Sequence, residues 1–530
     1  MLSEDQIRAR REANSRIVGE ELAKVIPVTD VPWWRQPHLL RLNIFIFFCL
    51  FYSSAIGYDT ALMNGLQSLE QWQESMEFPR GAWLGFMNAI NPLGSLVVTA
   101  FGTSFIADKY GRKACMILCV VLIWFGAGLG AGAKNPAMFI IGRFIVGSGS
   151  ALGVISALLI SELAYPTHRA VATSLYNCFF YVGSLLSAWV TYGTRNVSND
   201  WAWRIPTVLQ AGLPSLILLN TLLVPESPRW YISKNRHDRA RSILTKYHAN
   251  GDHNSELVEW EMVEISRSIE LERMAAKSTS WSNLWNTKGN RHRLFISVTL
   301  GVFSQWNGGG IVSYYLSIVL ASVGITSVKD QALINGCMQL WNLIFALIAA
   351  NVVDKLGRRF LFLSSCIVML ASYCMITALS ASFAKTGVNA TGIAMIPFLF
   401  VYYAGYDLAF TPLLVSYPAE IWGFMDRARG LVTVYISTFS ALMFNLFVNP
   451  IALESIAWKY YLVYIGILVV LTLVCYFFYP ETRGHTLEEM GKVFDGDSAS
   501  VPQNEKDNET GNYGQKKDDS EFVEVSVRAR

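Results

Sequence analysis

Twelve apolar stretches of about 20 residues, each long enough to cross the hydrocarbon core of a bilayer as a helix, are separated by short polar islands along this chain. They fall at 42–66, 82–106, 114–132, 136–160, 171–193, 205–224, 294–320, 331–353, 360–380, 393–421, 429–450 and 458–479. Between the sixth and the seventh lies a charged stretch, 225–293, with amphipathic helical periodicity near 236–247 and 256–274. The pattern predicts an all-α membrane protein of five parts. These are a polar segment at 1–41, a six-helix half at 42–224, a linker with short helices at 225–293, a second six-helix half at 294–479 and a tail at 480–530. The tail alternates acidic and basic residues with few apolar ones, so it is expected to be largely disordered.

The polar islands repeat. Asp108-Lys-Tyr-Gly-Arg-Lys113 joins the second and third stretches, and Asp354-Lys-Leu-Gly-Arg-Arg359 joins the eighth and ninth. A loop this short forces antiparallel neighbours; Gly111 and Gly357 supply a tight turn, and the Asp and basic residues sit where they can pair and cap helix ends. Glu162 and Arg169 follow the fourth stretch, and Glu420 and Arg427 follow the tenth at the same spacing. Pro225-Glu-Ser-Pro-Arg229 follows the sixth, and Pro480-Glu-Thr-Arg483 the twelfth. Two six-helix halves in parallel repeat predict a transporter that rocks about a site near the midplane.

Composition agrees with the pattern. Of 530 residues, 52% are hydrophobic and 16% charged, where soluble domains carry about a quarter charged. A net charge of +3 gives no support to a nucleic-acid partner. The eight Cys fall inside apolar stretches, which predicts neither a disulfide framework nor a Cys-rich metal site. No apolar core followed by a small-residue cleavage site precedes residue 42, so the first stretch is expected to be an uncleaved signal anchor.

Orientation follows from charge. Lys and Arg are somewhat more frequent on the side of the two Gly-Arg loops, which also carries the linker and Arg8, Arg10, Arg11 and Arg16. Both termini are therefore expected in the cytoplasm. The glycosylation sequons Asn196-Val-Ser198 and Asn389-Ala-Thr391 then fall outside, while Asn508-Glu-Thr510 falls in the cytoplasmic tail.

The two Asp-Lys-x-Gly-Arg loops, Gly142-Arg143, Pro225-Glu-Ser-Pro-Arg-Trp230 and Pro480-Glu-Thr-Arg-Gly484 resemble the sugar porter family of the major facilitator superfamily over about residues 40–495. Tyr247-His-Ala-Asn-Gly-Asp252, Phe303-Ser-Gln-Trp306, Ser313-Tyr-Tyr315 and Pro412-Leu-Leu-Val-Ser-Tyr-Pro418 resemble the fungal lactose and cellodextrin permeases within it. The resemblance implies the twelve-helix major facilitator fold, a sugar substrate and no cofactor. It also implies that Asp108, Arg112, Glu162, Arg169 and Glu226, and likewise Asp354, Arg358, Glu420, Arg427 and Glu481, bridge the two halves when the protein faces outward. Glu and Arg at helix ends are equally ordinary interfacial anchors.

Ionisable residues inside spans cost about 2.5–3.5 kcal/mol or more each and are functional by default. Asp59 lies seven residues before the outer end of the first span, and Arg143 seven after the outer start of the fourth. At about 1.5 Å per residue, both sit roughly 10 Å below the outer face, where they can pair. The pair is either a stabilising ion pair or a proton-coupling device in which Asp59 takes up a proton and releases Arg143. By resemblance, Gly57-Tyr-Asp59 matches the proton-coupled members of the family. Asp407, after Tyr402, Tyr403 and Tyr406, binds substrate, senses protons or is satisfied by neighbouring hydroxyls.

A sugar needs neutral hydrogen-bond partners and a flat apolar face. Amides offer a donor and an acceptor without the cost of desolvating a charge. Gln305 and Asn342 reach the midplane of the seventh and eighth spans and match sugar-binding amides of the family; Asn445 and Asn177 are further candidates. Each is otherwise an interhelical polar bond. Trp306, Tyr314 and Tyr315 are candidates for stacking or an outer gate, or else packing. Gly308-Gly309-Gly310 and Pro412 weaken their helices, as gating segments require.

Ser304, Gly310, Asn177, Ser184 and Val415 stand where the hexose-binding pattern has larger residues, and are expected to widen the site. The reading is a monomeric, proton-driven importer of a disaccharide or short oligosaccharide such as lactose or cellobiose, in a plasma membrane. A passive hexose facilitator, a non-transporting sugar sensor and an exporter of a secondary metabolite are the alternatives. With no nucleotide loop, metal cluster or catalytic triad in the sequence, an enzyme is not expected.

Overall fold

The computed structural model describes residues 3–278, 280–423, 426–483 and 493–494, without the side chains of 16, 17, 275–278, 351, 354 and 428. The expected disorder of the tail and the Asn508 sequon therefore lie outside the described residues. Every regular element among those described is helical.

Twelve helical spans form two six-helix halves. The first half consists of Pro37–Leu66, Gly81–Tyr110, Arg112–Ala131, Pro136–Leu163, Arg169–Thr194 and Trp201–Leu223. In the second, the seventh span comes in two pieces, Lys288–Trp306 and Gly309–Ala321. Then follow Val328–Leu356, Arg358–Thr386, Asn389–Ile421, Arg427–Ile456 and Tyr460–Phe478. Ten stretches among the described residues are long and apolar enough to cross a membrane unaided. The difference from twelve has two physical causes. The seventh span is interrupted, and the last two are joined by one short 3₁₀ turn, Ala457–Lys459, into a continuous apolar run.

Small residues set how closely the spans approach. A Cβ on Gly57 would run into the backbone carbonyl of Phe180, and one on Gly183 into that of Ser54, so the first and fifth spans touch backbone to backbone. Between the halves, the second span packs on the eleventh and the fifth on the eighth. The ends carrying the two Gly-Arg loops, here the motif end, lie opposite the ends carrying the exposed Asn196 and Asn389, the sequon end.

Several spans bend where polar groups are needed. The seventh stops at Trp306 and restarts after Gly308, whose φ of +103° suits only a residue without Cβ. The freed backbone groups find partners: Tyr373 Oη donates to Gly308 O (2.7 Å), Tyr402 Oη to Asn307 O (3.3 Å), and Asn307 Oδ1 accepts from Gly309 N (2.9 Å). The sixth span breaks between Leu209 and Gly212, and the second passes through a π turn at Thr99–Thr103. Four helices, Pro228–Ser233, His237–His248, Glu256–Ser278 and Asn283–Asn286, connect the halves at the motif end.

Candidate functional site

A cavity of about 300 Å³ lies between the halves, near the middle of the spans. The first half contributes Asp59, Thr60, Asn91, Tyr181 and Ser184. The second contributes Gln305 and Tyr314 from the two pieces of the broken span, with Gln339, Asn342, Tyr403 and Tyr406. Among the described residues, its walls thus combine amides, hydroxyls and aromatic faces with a single carboxylate. A larger cavity, about 690 Å³, opens at the motif end between the N-terminal segment and the linker, away from the path between the halves.

Asp59 and Arg143 meet as an ion pair, both buried, at 4% and 6% exposure. Two further donors hold the carboxylate: Asn91 Nδ2 at 2.8 Å and Gln210 Nε2 at 2.5 Å. Asn91 Nδ2 also lies 3.2 Å from Arg143 O, so one amide positions both members. Gln210 sits in the joint of the sixth span, where the break turns its side chain inward. Arg143 Nε is buried without a partner among the described residues. Arg143, Asn91 and Gln210 thus all donate to the Asp59 carboxylate, which also lines the cavity.

Asn342 is 2% exposed, and its Oδ1 has no hydrogen-bond partner among the described residues. Buried acceptors in native proteins rarely stay single, and this one lines the cavity. Among the described residues, Gln305 Nε2 has only a 3.3 Å contact to Ser304 Oγ. Tyr314 lines the same cavity, and its carbonyl accepts from Gln67 Nε2 of the first half at 2.9 Å.

Four expected substrate residues lie elsewhere. Asn445 donates to Gln305 O (2.8 Å) and accepts from Tyr464 Oη (2.9 Å), bracing the seventh, eleventh and twelfth spans. Its amide also occupies the space a Cβ on Gly310 would need, and Gly310 lines the central cavity beside it. Trp306 donates to Ala441 O at 3.1 Å, with its ring 5.1 Å from that of Phe444. Asn177 and Val415 line a second cavity, about 330 Å³, between the halves toward the motif end. Asp407 is fully buried between the two cavities and accepts from Tyr181 Oη (2.5 Å) and Thr411 Oγ1 (2.8 Å).

At the sequon end the halves are sealed. Tyr58, Leu62, Leu66 and Trp72 of the first half form one apolar cluster with Tyr315 and Leu446 of the second. Tyr315 leaves helical geometry (φ −133°, ψ 26°) and donates to Leu446 O at 2.6 Å.

At the motif end the repeated residues assemble twice in the same way. Arg112 binds Glu162 through two nitrogens at 3.0 Å each, while Glu226 accepts from Arg112 N (3.1 Å), Lys113 N (3.1 Å) and Ser227 N (2.9 Å). Arg358 binds Glu420 (2.9 Å), and Glu481 accepts from Arg358 N (2.8 Å) and Arg359 N (3.0 Å). Burial alone would raise the Glu481 pKa, but donation from the backbone of Arg483, Arg358, Arg359 and Thr482 holds it below the usual carboxylate value. These bonds lie within one half each. Asp108 lies 3.8 Å from Arg112, and Arg169 is exposed. Arg427 reaches Trp422 O at 3.5 Å, and the Asp354 side chain lies outside the described residues.

A family model described as "Sugar (and other) transporter" matches residues 45–494. The chain belongs to that family. Its twelve spans in two halves are those of a major facilitator sugar porter, a multi-pass membrane transporter. A high-affinity glucose transporter of Kluyveromyces lactis is 27% identical over 481 residues, 86% of each chain. The H(+)/hexose cotransporter 2 of Parachlorella kessleri is 28% identical over 412 residues, 76% of this chain and 74% of its own. Among solved structures, the inward-open xylose transporter XylE of E. coli superposes with a TM-score of 0.71 at 23% identity, covering 86% of this chain and all of that one (100%). The sugar porter fold explains why the two Gly-Arg loops, the two Glu-Arg pairs and the two Pro-Glu motifs come twice.

Asn91, Gln210, Tyr181 and Gln339 were not legible as site residues in the sequence. The only signal was an amide or phenol inside an apolar span, which interhelical packing produces as readily.

Proposed function

We propose that this sugar porter moves a sugar and a proton together through the central cavity. The observation that carries the reading is Asp59, a titratable group on the cavity wall whose counter-charge, Arg143, lies behind it. Protonation of Asp59 cancels the pair and frees Arg143; loss of that proton after the halves have rocked restores it. Asn91 and Gln210 are positioning residues for the carboxylate. Gln305, Asn342 and Tyr314 bind the sugar, with the free Asn342 Oδ1 as acceptor for a sugar hydroxyl.

The cavity is at the low end of the range for small-molecule sites, about 300–1,000 Å³. It suits one pyranose ring, in keeping with the relatives named for glucose and hexose. A disaccharide such as lactose or cellobiose needs the second cavity as well, and the small Val415 there favours that second reading. We place both termini and the linker helices in the cytoplasm of a plasma-membrane protein, with Asn196 and Asn389 outside. In that orientation the sealed sequon end and the within-half pairing of the Glu-Arg clusters describe a state closed to the outside.

Uptake of labelled glucose, xylose, cellobiose and lactose by transporter-null cells, at two external pH values, tests the reading. Saturable uptake of at least one sugar, larger at the lower pH, is expected. Uptake indifferent to external pH would mark a passive facilitator, and none for any sugar would point to another solute.

A further inference from the structure

Tyr181 and Asp407 face each other across the boundary between the two halves. Tyr181 belongs to the fifth span and lines the central cavity. Asp407 and Thr411 belong to the tenth, one turn apart, and Thr411 lines the second cavity toward the motif end. The Tyr181 hydroxyl donates to Asp407 Oδ1 at 2.5 Å, Thr411 donates to the same oxygen at 2.8 Å, and Tyr181 and Thr411 lie 3.5 Å apart. This small polar cluster therefore lies between the two cavities, with Tyr181 lining one and Thr411 the other. Beside it, Phe180, Cys178, Leu343 and Ala346 make an apolar seam between the fifth and eighth spans.

We propose that the Tyr181–Asp407 hydrogen bond is a gate that closes the central cavity toward the motif end, and that it breaks each time solute passes. Two features set it apart from a strut. A strut in a packed core is satisfied at both ends, yet Asp407 Oδ2 is buried with no partner among the described residues. The free oxygen can take a new donor when Tyr181 swings away, which lowers the cost of opening. Secondly, the bond joins the halves, and alternating access moves one half against the other. A bond across the moving boundary has to be made and broken, while Arg112–Glu162 and Arg358–Glu420, each inside one half, do not. At the sequon end the corresponding closures are Gln67 to Tyr314 O (2.9 Å) and Asn64 to Asn335 (3.3 Å).

The inference rests on solute passing through the central cavity, and its test reads the gate without requiring a known sugar. A reporter cysteine, Thr60→Cys on the cavity wall, is placed in the full chain with the exposed Cys337 and Cys374 and the cleft-lining Cys178 replaced by Ser. A membrane-impermeant thiol reagent is then applied from either face of sealed vesicles. Tyr181→Phe should raise the rate of modification from the motif face by about fivefold to tenfold, the weight of one buried hydrogen bond. Modification from the sequon face should not rise. Asp407→Asn, which keeps an acceptor, should shift the ratio less than Asp407→Ala. The double variant Tyr181→Phe/Asp407→Ala should match the stronger single one, since both delete the same bond. An unchanged ratio of the two faces in Tyr181→Phe at normal expression would overturn the proposal, and should that variant fail to fold, an unchanged ratio in Asp407→Ala would do so. A shifted ratio in a protein that takes up no sugar would keep the gate and reject the sugar reading; normal sugar uptake with an unchanged ratio would do the reverse.

Discussion

Asp59 is the one carboxylate on the cavity wall among the described residues, and three side chains from three other spans converge on it. Asp59→Asn keeps its size and much of its hydrogen bonding but cannot titrate. It should abolish accumulation of sugar against a gradient while sparing counterflow, measured side by side in vesicles. Arg143 is then left without its counter-charge, so lower expression is expected too. Accumulation undiminished in that variant would move the coupling site elsewhere. Asn342→Ala removes hydrogen bonds worth about 0.5–1.5 kcal/mol and should weaken apparent affinity by several-fold to about tenfold, read from the concentration dependence of uptake. Unaltered affinity at normal surface expression would take Asn342 out of the site. The Asp–Arg pair was legible because charge in a span is rare and helical rise gives its depth. Its amide partners were not, because Gln210 reaches Asp59 only through a break in the sixth span that the apolar pattern conceals.

The seventh span carries the cavity's Gln305 and Tyr314 on separate pieces, so its interruption is an element with a function of its own. The glycine run announced a weak helix, and the structure adds what the sequence could not: Tyr373 and Tyr402, from the ninth and tenth spans, donate to the freed carbonyls of Gly308 (2.7 Å) and Asn307 (3.3 Å). Gly308→Ala puts a Cβ on a left-handed residue and into the Tyr373 ring. Strain of this kind costs about 1–3 kcal/mol, so the melting temperature in detergent should fall by several degrees. Gly212→Ala, whose Cβ meets nothing within 4 Å, should leave it unchanged; equal effects would deny the break its special geometry.

The linker helices have a pH-dependent anchor. His248 is buried, with Nδ1 2.8 Å from Glu261 and Nε2 3.1 Å from Leu163 O, two acceptors that favour the doubly protonated ring. Burial works to lower its pKa, but Glu261 and the Leu163 carbonyl outweigh it and the net shift is upward, with Arg169 opposing. Tyr165 packs on the ring, and the nearby His38 is the other titratable neighbour. A raised folded pKa means that the stabilisation is complete below the unfolded value, about 6.5, and is lost as pH rises through the folded one. Protection of the linker against protease should therefore be greater near about pH 6 than in alkali, and His248→Gln should flatten the difference. A wild-type profile that is flat over that range would remove the anchor.

Across the whole molecule, the duplicated motifs let the sequence announce two like halves, and each half builds the same Arg–Glu and Glu–backbone cluster at the motif end. Which contacts join the halves was not legible. They depend on glycines such as Gly85, which lets the second span approach the backbone of Phe447 on the eleventh, and no local pattern names the partner of a small residue. The neighbour that Gly310 makes room for was hidden for a related reason: Asn445, whose amide stands where a Cβ on Gly310 would come, is distant in sequence. The whole molecule works, in the function proposed above, by one passage that sugar and proton share past Asp59. Its most direct test is the external pH of a weakly buffered suspension of proteoliposomes, followed as sugar is added with no preset gradient. Wild type should alkalinise the medium as protons enter with sugar, and Asp59→Asn should not, although it still exchanges labelled sugar. Sugar entry without a pH change in wild type, or the same pH change in Asp59→Asn, would contradict it.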